Sequence, residues 1–189
     1  MIALLPFLAD LKQAPRVLAA LLVLALAACS SDDVPPPTGL KLSLVASDEI
    51  NPQGDGSAAP LVVRLYQLAD SGAFMEKTFF EIYDDPVAAL GADLLARREY
   101  VVTPGSRSDD TVTGPPEVRF IGIIAAFRDI DRAQWRILKD VRSGDQNRII
   151  VGVEALQITF LEPDSSFFGL FSRAFEHQQA GLFSEARGS

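Results

Sequence analysis

The first folded segment of the chain is marked by alternating apolar and polar residues. Three leucines between residues 40 and 44 alternate with Lys41 and Ser43, and this period of two is typical of a strand with one buried face. A second alternating segment covers 61–68 (LVVRLYQL). The polar, Gly- and Pro-rich residues 47–59 separate the two segments, so we predict two strands joined by a long surface loop.

Further apolar segments predict more strands. Residues 117–129 form a β-rich stretch whose central part, IGIIAAF, is apolar on both faces, which favours a central position in a sheet. Residues 147–161 are predicted as one more strand, and 98–103 as another. The intervening TPGSRSDDTV, residues 103–112, is predicted as a turn.

One segment interrupts this pattern with helical spacing. Apolar residues between 73 and 97 recur with a mixed helical period that is broken at Pro86 and Gly91, so we predict short helices there. Strands otherwise dominate, and we therefore predict a mainly β protein, a two-sheet β-sandwich over 40–162 with a helical insertion at about 73–97.

The N-terminus has the features of an export signal. Lys12 and Arg16 precede an apolar run at 17–28, which is too short to span a bilayer but fits the hydrophobic part of a signal peptide. Directly after it comes Cys29, the only cysteine, which cannot form an internal disulfide. An inert thiol, a nucleophile, an intermolecular bridge and an attachment point all remain possible for a lone cysteine until its position is considered.

Residues 26–29 (LAAC) resemble the bacterial lipobox, in which cleavage precedes a cysteine that carries the acyl chains. That resemblance implies a signal peptide at 1–28, a lipidated Cys29 with diacylglycerol and N-acyl groups, and a flexible tether at 29–39. An ordinary secretory signal with an incidental cysteine is the alternative. Ser30, rather than Asp, follows the cysteine, which in such sorting signals implies transfer to the outer membrane.

Composition narrows the possible functions. The formal net charge is −8, which argues against nucleic-acid binding through a basic patch. The one histidine, His177, lies near the C-terminus, so the predicted domain lacks the usual base of a nucleophilic triad. No Cys/His cluster, phosphate-binding loop or EF-hand series occurs in the sequence, and we expect neither an enzyme nor a metal site.

The C-terminal residues 163–189 are a separate question. Phe167, Phe171 and Phe175 recur at a spacing of four, which fits an amphipathic helix. Gly169 and Gly181 weaken that prediction. A helix packed on the domain, a partly disordered end and a docking helix for a partner all remain open.

Four stretches in order resemble a known family. They are the lipobox at Cys29, NPQGDGSAAPLVVRLYQL at 51–68, TPG at 103–105, and RFIGIIAAFRDIDRAQWR at 119–136. Together they are similar to TssJ (also VasD, Lip or SciN), the outer-membrane lipoprotein of the type VI secretion system, over about 40–160.

The resemblance implies a transthyretin-like sandwich without enzymatic activity. It implies a lipid-anchored location on the periplasmic face of the outer membrane. It also implies binding to the periplasmic C-terminal domain of the inner-membrane protein TssM, with TssL in the same complex. No nucleic acid or small-molecule substrate is expected.

The family pattern also implies roles for particular residues. The loop between the first two strands, here 47–59, is implicated in TssM contact. Its expected contact residues are Asn51, Pro52, Gln53, Gly54 and Asp55.

Four further residues match the family pattern: Arg128, Asp129, Trp135 and Arg136. Their expected role is structural. We expect Trp135 to cover the core, and Arg128 or Arg136 to pair with nearby carboxylates.

Two other functions compete with this one. A transthyretin-like periplasmic module that binds or hydrolyses a small ligand would need a concave site with convergent polar groups. An unrelated envelope-biogenesis or envelope-stress lipoprotein would share the anchor alone. A binding titration against the TssM domain separates these alternatives.

Overall fold

The computed structural model describes residues 35–162. The predicted signal peptide at 1–28, Cys29 and the predicted C-terminal segment at 163–189 lie outside the described residues. Within the described part, no helix is long and apolar enough to cross a membrane.

Two four-stranded sheets make up the described domain. Sheet 1 has the order β4-β1-β7-β8 and sheet 2 the order β3-β2-β5-β6. Only the β1–β7 pair is parallel among the pairs of these described strands. The strands are β1 Thr38–Ala46, β2 Leu61–Leu68, β3 Leu94–Val102, β4 Arg107–Gly114, β5 Phe120–Ala125, β6 Arg136–Asp140, β7 Gln146–Glu154 and β8 Gln157–Leu161.

The inner faces of the two sheets form the core, as the period of two predicts. Leu40, Leu42 and Leu44 of β1 are each at most 2 % exposed, and Val63 and Leu65 of β2 face them from sheet 2. Burying one such side chain stabilises the fold by about 1.5–3 kcal/mol relative to leaving it in water. The predicted two-sheet β-sandwich is therefore confirmed.

A layer of short helices covers the outer face of sheet 2. The helices are α1 Gly72–Glu76, α2 Phe79–Asp84 and α3 Pro86–Leu90, followed by a 3₁₀ turn at Gly91–Asp93. Helix α2 begins with a capping box, in which the Thr78 hydroxyl accepts from the Glu81 N–H and the Glu81 carboxylate accepts from the Thr78 N–H. Such caps are needed because isolated helices this short do not persist in water.

Two arginines fix this helical layer to sheet 2. The Arg64 guanidinium of β2 donates to the main-chain carbonyl of Tyr83 at the end of α2 and lies 3.8 Å from the centre of the Tyr83 ring. Arg136 of β6 donates to the carbonyls of Phe74 (2.7 Å) and Lys77 (2.8 Å), where α1 ends. A cation at the C-terminal end of a helix satisfies carbonyls that have no partner inside the helix.

The covered outer face explains why β5 is apolar on both sides. Strand β5 lies between β2 and β6, so the predicted central position is confirmed. Ile123 faces the core between the sheets, whereas Ile124 packs under the helices. Gly122 leaves room for the Phe74 ring, since a Cβ at this position would lie 2.6 Å from the Phe74 Cζ.

Three predicted boundaries are wrong. The helical segment covers 72–93, and β3 begins at Leu94 rather than near residue 98. The predicted turn at 103–112 includes most of β4 (Arg107–Gly114), a polar edge strand that pairs with β1. The single strand predicted at 147–161 is a hairpin of β7 and β8 with a tight turn at Ala155, whose φ is +30°.

Candidate functional site

The loops at one end of the sandwich form a connected surface, which we call the distal end. It consists of residues 47–60, 103–106, 126–135 and 155–156. Residues Pro36 and Pro37 lead into the other end of β1, so a nine-residue strand, about 30 Å long, separates them from the 47–60 loop. The chain therefore enters the domain at one end and presents its longest loop at the other.

The 47–60 loop is a crossover between the sheets. It joins β1 of sheet 1 to β2 of sheet 2. Because it must pass from one sheet to the other, it is longer than the loop of a hairpin between neighbouring strands. Main-chain hydrogen bonds hold its base: Gly105 N–H in the neighbouring 103–106 turn donates to the Ser47 carbonyl (2.9 Å), and Ala59 N–H donates back to the Ile50 carbonyl within the loop (3.1 Å).

The tip of this loop has its own hydrogen-bonded structure. Gln53 N–H donates to the Ser57 carbonyl (2.8 Å), and Gly56 N–H donates to the Gln53 carbonyl (2.9 Å) with Gly56 at φ +83°. The Ser57 hydroxyl and N–H both donate to Asp55 Oδ1, at 2.6 and 2.9 Å. These bonds from Ser57 lower the pKa of the Asp55 carboxyl. The tip is thus a compact turn that carries a negative charge at neutral pH.

Four of the five predicted contact residues lie where a partner could reach them. Gln53, Gly54 and Asp55 are exposed and Pro52 is half-buried. Asn51 is 3 % exposed and forms part of the loop's base. The prediction that Asn51 lies at the contact tip is therefore wrong, because its side chain is fully engaged by neighbouring main-chain groups.

Asn51 joins three segments of the distal end. Its Nδ2 donates to the Pro60 carbonyl (3.0 Å), and its Oδ1 accepts from the Arg128 N–H (2.8 Å). Its own N–H donates to the Ala155 carbonyl in the β7–β8 turn (2.8 Å). The sequence signal that we missed is the Asn itself, because Asn is among the few residues that tolerate the positive φ found here, +49°.

Arg128 and Asp129 lie beside this loop without pairing to each other. The Arg128 side chain is exposed, and its main-chain N–H is the group that Asn51 holds. Asp129 accepts from the Arg132 guanidinium at 3.1 Å. Both residues belong to the 126–135 segment of the distal end.

Trp135 and Arg136 connect the distal end to the helical layer. Trp135 packs against both apolar clusters, and its ring meets Phe79 edge-on at 5.3 Å between centroids. The Arg136 guanidinium lies 4.6 Å from the centre of the Trp135 ring. Burial lowers the pKa of Arg136. The expected carboxylate pairing of Arg136 is wrong, since its partners are the carbonyls that end α1.

The described residues contain no group of three or more His, Cys, Asp and Glu side chains that could hold a metal ion. Exposed acidic residues such as Asp48, Glu49 and Asp55 are spread along the distal end. Hydrogen-bonded loops with exposed polar and charged groups suit a surface that recognises another macromolecule.

Comparison with known proteins identifies relatives of this architecture. A crystal structure of the T6SS lipoprotein TssJ1 from Pseudomonas aeruginosa shares 34% sequence identity and has a TM-score of 0.65, covering 69% of this chain and 100% of that chain. Among curated proteins, none matches the chain.

Two further solved structures have the same fold at lower identity. Serratia marcescens Lip, a membrane-bound component of the type VI secretion system, shares 22% identity with a TM-score of 0.63, covering 68% of this chain and 99% of that chain. A chain in the structure of the T6SS protein TssM C-terminal domain (869–1107) from EAEC shares 23% identity with a TM-score of 0.57, covering 66% of this chain and 98% of that chain.

A family model also matches residues 38–156, well over half of the chain. That model describes the type VI secretion lipoproteins VasD, EvfM, TssJ and VC_A0113. The matched residues include strands β1 to β7, the helical layer and the distal end, and only β8 of the described strands follows them. The chain therefore belongs to the TssJ family of type VI secretion lipoproteins.

Proposed function

We propose that this protein anchors the inner-membrane protein TssM to the outer membrane by binding its periplasmic C-terminal domain, with TssL in the same complex. The role is structural and assigns the protein no catalytic residue, cofactor or small-molecule substrate. Family membership supports a part in the secretion apparatus. One solved relative comes from a structure of a TssM C-terminal domain, which is consistent with such a partner.

One observation carries the proposal. The self-bonded 47–60 loop lies about 30 Å, the length of β1, from the residues that lead into the domain. A lipid-anchored protein must keep its partner-binding surface away from the membrane that holds it. The separation of the two ends of β1 provides that arrangement.

Lipidation of Cys29 supplies the anchor in this proposal. Each buried methylene of an acyl chain contributes about 0.8 kcal/mol, so several chains together hold a protein firmly in a bilayer. The predicted tether at 29–39 is shorter than expected, because β1 already begins at Thr38. The three prolines before it, at 35–37, favour an extended conformation that spaces the domain from the membrane surface. Ser30 after the cysteine favours the outer membrane as the destination.

The proposed contact residues are the exposed tip residues Pro52, Gln53, Gly54 and Asp55. Because the tip is already hydrogen-bonded in the free protein, binding need not order it. A preformed loop loses less conformational entropy on association than a flexible one.

A titration of full-length protein in detergent against the TssM periplasmic domain tests the proposal. The wild type is compared with a variant in which residues 52–57 are replaced by a short Gly-Ser turn. The control is the double variant Arg142→Ala, Asp145→Ala, which removes exposed charges at the opposite end of the sandwich.

We expect saturable binding by the wild type and the control and none by the loop variant, with the melting temperature little changed. Equal binding by the loop variant would place the interface elsewhere on the domain. Absence of binding by the wild type would contradict the proposed function itself.

A further inference from the structure

A buried amide, Asn51, bonds the contact loop to two neighbouring segments. Both polar atoms of the Asn51 side chain are bonded to main-chain groups, the Nδ2 to the Pro60 carbonyl and the Oδ1 to the Arg128 N–H. Its main-chain N–H reaches the third segment, at Ala155. Asn51 is therefore the one residue that bonds 47–60, 126–135 and the β7–β8 turn together among these described loops.

The arrangement is demanding for the chain. Asn51 has a φ of +49° and is 3 % exposed, and the Ala155 that accepts its N–H also has a positive φ, +30°. A buried amide that lost either partner would leave a polar group unsatisfied. Both bonds therefore restrain the loop through the same buried side chain.

We propose that Asn51 is a positioning residue for the TssM contact: it does not touch the partner, but it fixes the loop tip relative to residues 128–134 so that both meet the partner as one rigid surface. This inference rests on the proposed function. Asn51 and the tip are directly linked, since the Gln53–Ser57 turn begins two residues after it and Ala59 bonds back to Ile50 beside it.

The chain offers a matched control at the opposite end. Asn147 is also an amide that clamps a loop: its Oδ1 accepts from the Arg142 N–H (2.9 Å), and its Nδ2 donates to the carbonyls of Gly39, Arg142 and Asp145 (3.0–3.2 Å). Its removal should cost a comparable amount of stability without reaching the distal end. The pair therefore separates a positioning role from a merely structural one.

The experiment compares full-length wild type, Asn51→Gly and Asn147→Ala in detergent. Glycine is chosen at position 51 because it accepts the positive φ while removing both side-chain bonds. Three quantities are measured: the melting temperature, the dissociation constant for the TssM periplasmic domain, and amide hydrogen exchange of Arg128 and Ala59.

We expect Asn51→Gly to weaken binding about tenfold or more and to speed exchange at Arg128 and Ala59 by a similar factor, because a loop that must be ordered on binding loses affinity. Asn147→Ala should lower the melting temperature comparably while its affinity stays within about twofold of the wild type.

Two results would overturn the inference. Wild-type affinity in Asn51→Gly, or an equal loss of affinity in Asn147→Ala, would show that Asn51 has no role in positioning although the protein binds TssM. A wild type that does not bind would instead overturn the proposed function, and the role of Asn51 with it.

Discussion

Replacing Gly122 by alanine tests how the helical layer packs on sheet 2. The Phe74 ring of α1 lies directly over Gly122 of β5 and is fully buried. A Cβ added at Gly122 would lie 2.6 Å from Phe74 Cζ and 2.8 Å from both Cε atoms. Such distances are well inside van der Waals contact, so the ring or the strand must move.

The cost follows from what surrounds the ring. Phe74 packs against Tyr66, with ring centroids 5.9 Å apart, and its main-chain carbonyl is held by Arg136. Tyr66 and the bond from Arg136 therefore restrict how far the buried ring can move away from the new methyl group. Overpacking of this kind costs about 1–3 kcal/mol of unfolding free energy.

Urea unfolding of Gly122→Ala measures this loss. Gly54→Ala is the control, since a Cβ at Gly54 meets nothing within 4 Å, and it should change the free energy of unfolding by at most about 0.5 kcal/mol. Adding Phe74→Leu should recover part of the loss, with a coupling of about 1 kcal/mol in a double-mutant cycle. A Gly122→Ala protein as stable as the wild type would refute this description of the packing.

Three further predictions concern the helical layer and the anchor. Arg136→Ala removes hydrogen bonds to two main-chain carbonyls and should lower the free energy of unfolding, measured by urea denaturation, by about 2–3 kcal/mol. A change below about 0.5 kcal/mol would contradict the role given to Arg136. Hydrogen bonds from the Thr78 N–H and hydroxyl, with help from Lys77, lower the pKa of Glu81 from 4.5 to about 2. Because the pKa of Glu81 is lower in the folded state, this stabilisation is complete above about pH 4.5 and is lost as the pH falls toward 2. The difference in stability between wild type and Glu81→Ala should therefore shrink over that window. A difference that stays constant with pH would contradict the role given to the Glu81 carboxylate. Cys29→Ser should move the protein from the membrane to the soluble fraction of the periplasm, and its retention in the membrane would contradict lipid anchoring through Cys29.

The sequence predicted the sandwich well where burial follows a simple period. Alternation over 40–44 and 61–68 indicated half-buried strands, and the doubly apolar IGIIAAF indicated a strand covered on both faces. The polar strand β4 was missed because it lies at the edge of sheet 1, where few of its side chains are buried.

Other features depend on contacts that no local pattern reveals. The turn between β7 and β8 is formed by Ala155 and Leu156, without the Gly, Asn or Pro that usually signals a hairpin. The role of Asn51 depends on a bond to Arg128, which lies 77 residues away in sequence. Asn51 is a polar residue in a polar loop, so the local sequence predicts an exposed side chain, and only its long-range partners explain its burial.

Site-specific photo-crosslinking tests whether the distal end contacts TssM. A benzophenone amino acid is placed at Gln53, at the exposed loop tip, or at Arg142, whose side chain is 86% exposed at the opposite end. We expect an adduct with the TssM periplasmic domain from position 53 and none from position 142. An adduct from position 142 alone would contradict it and place the interface at the end where the chain enters the domain.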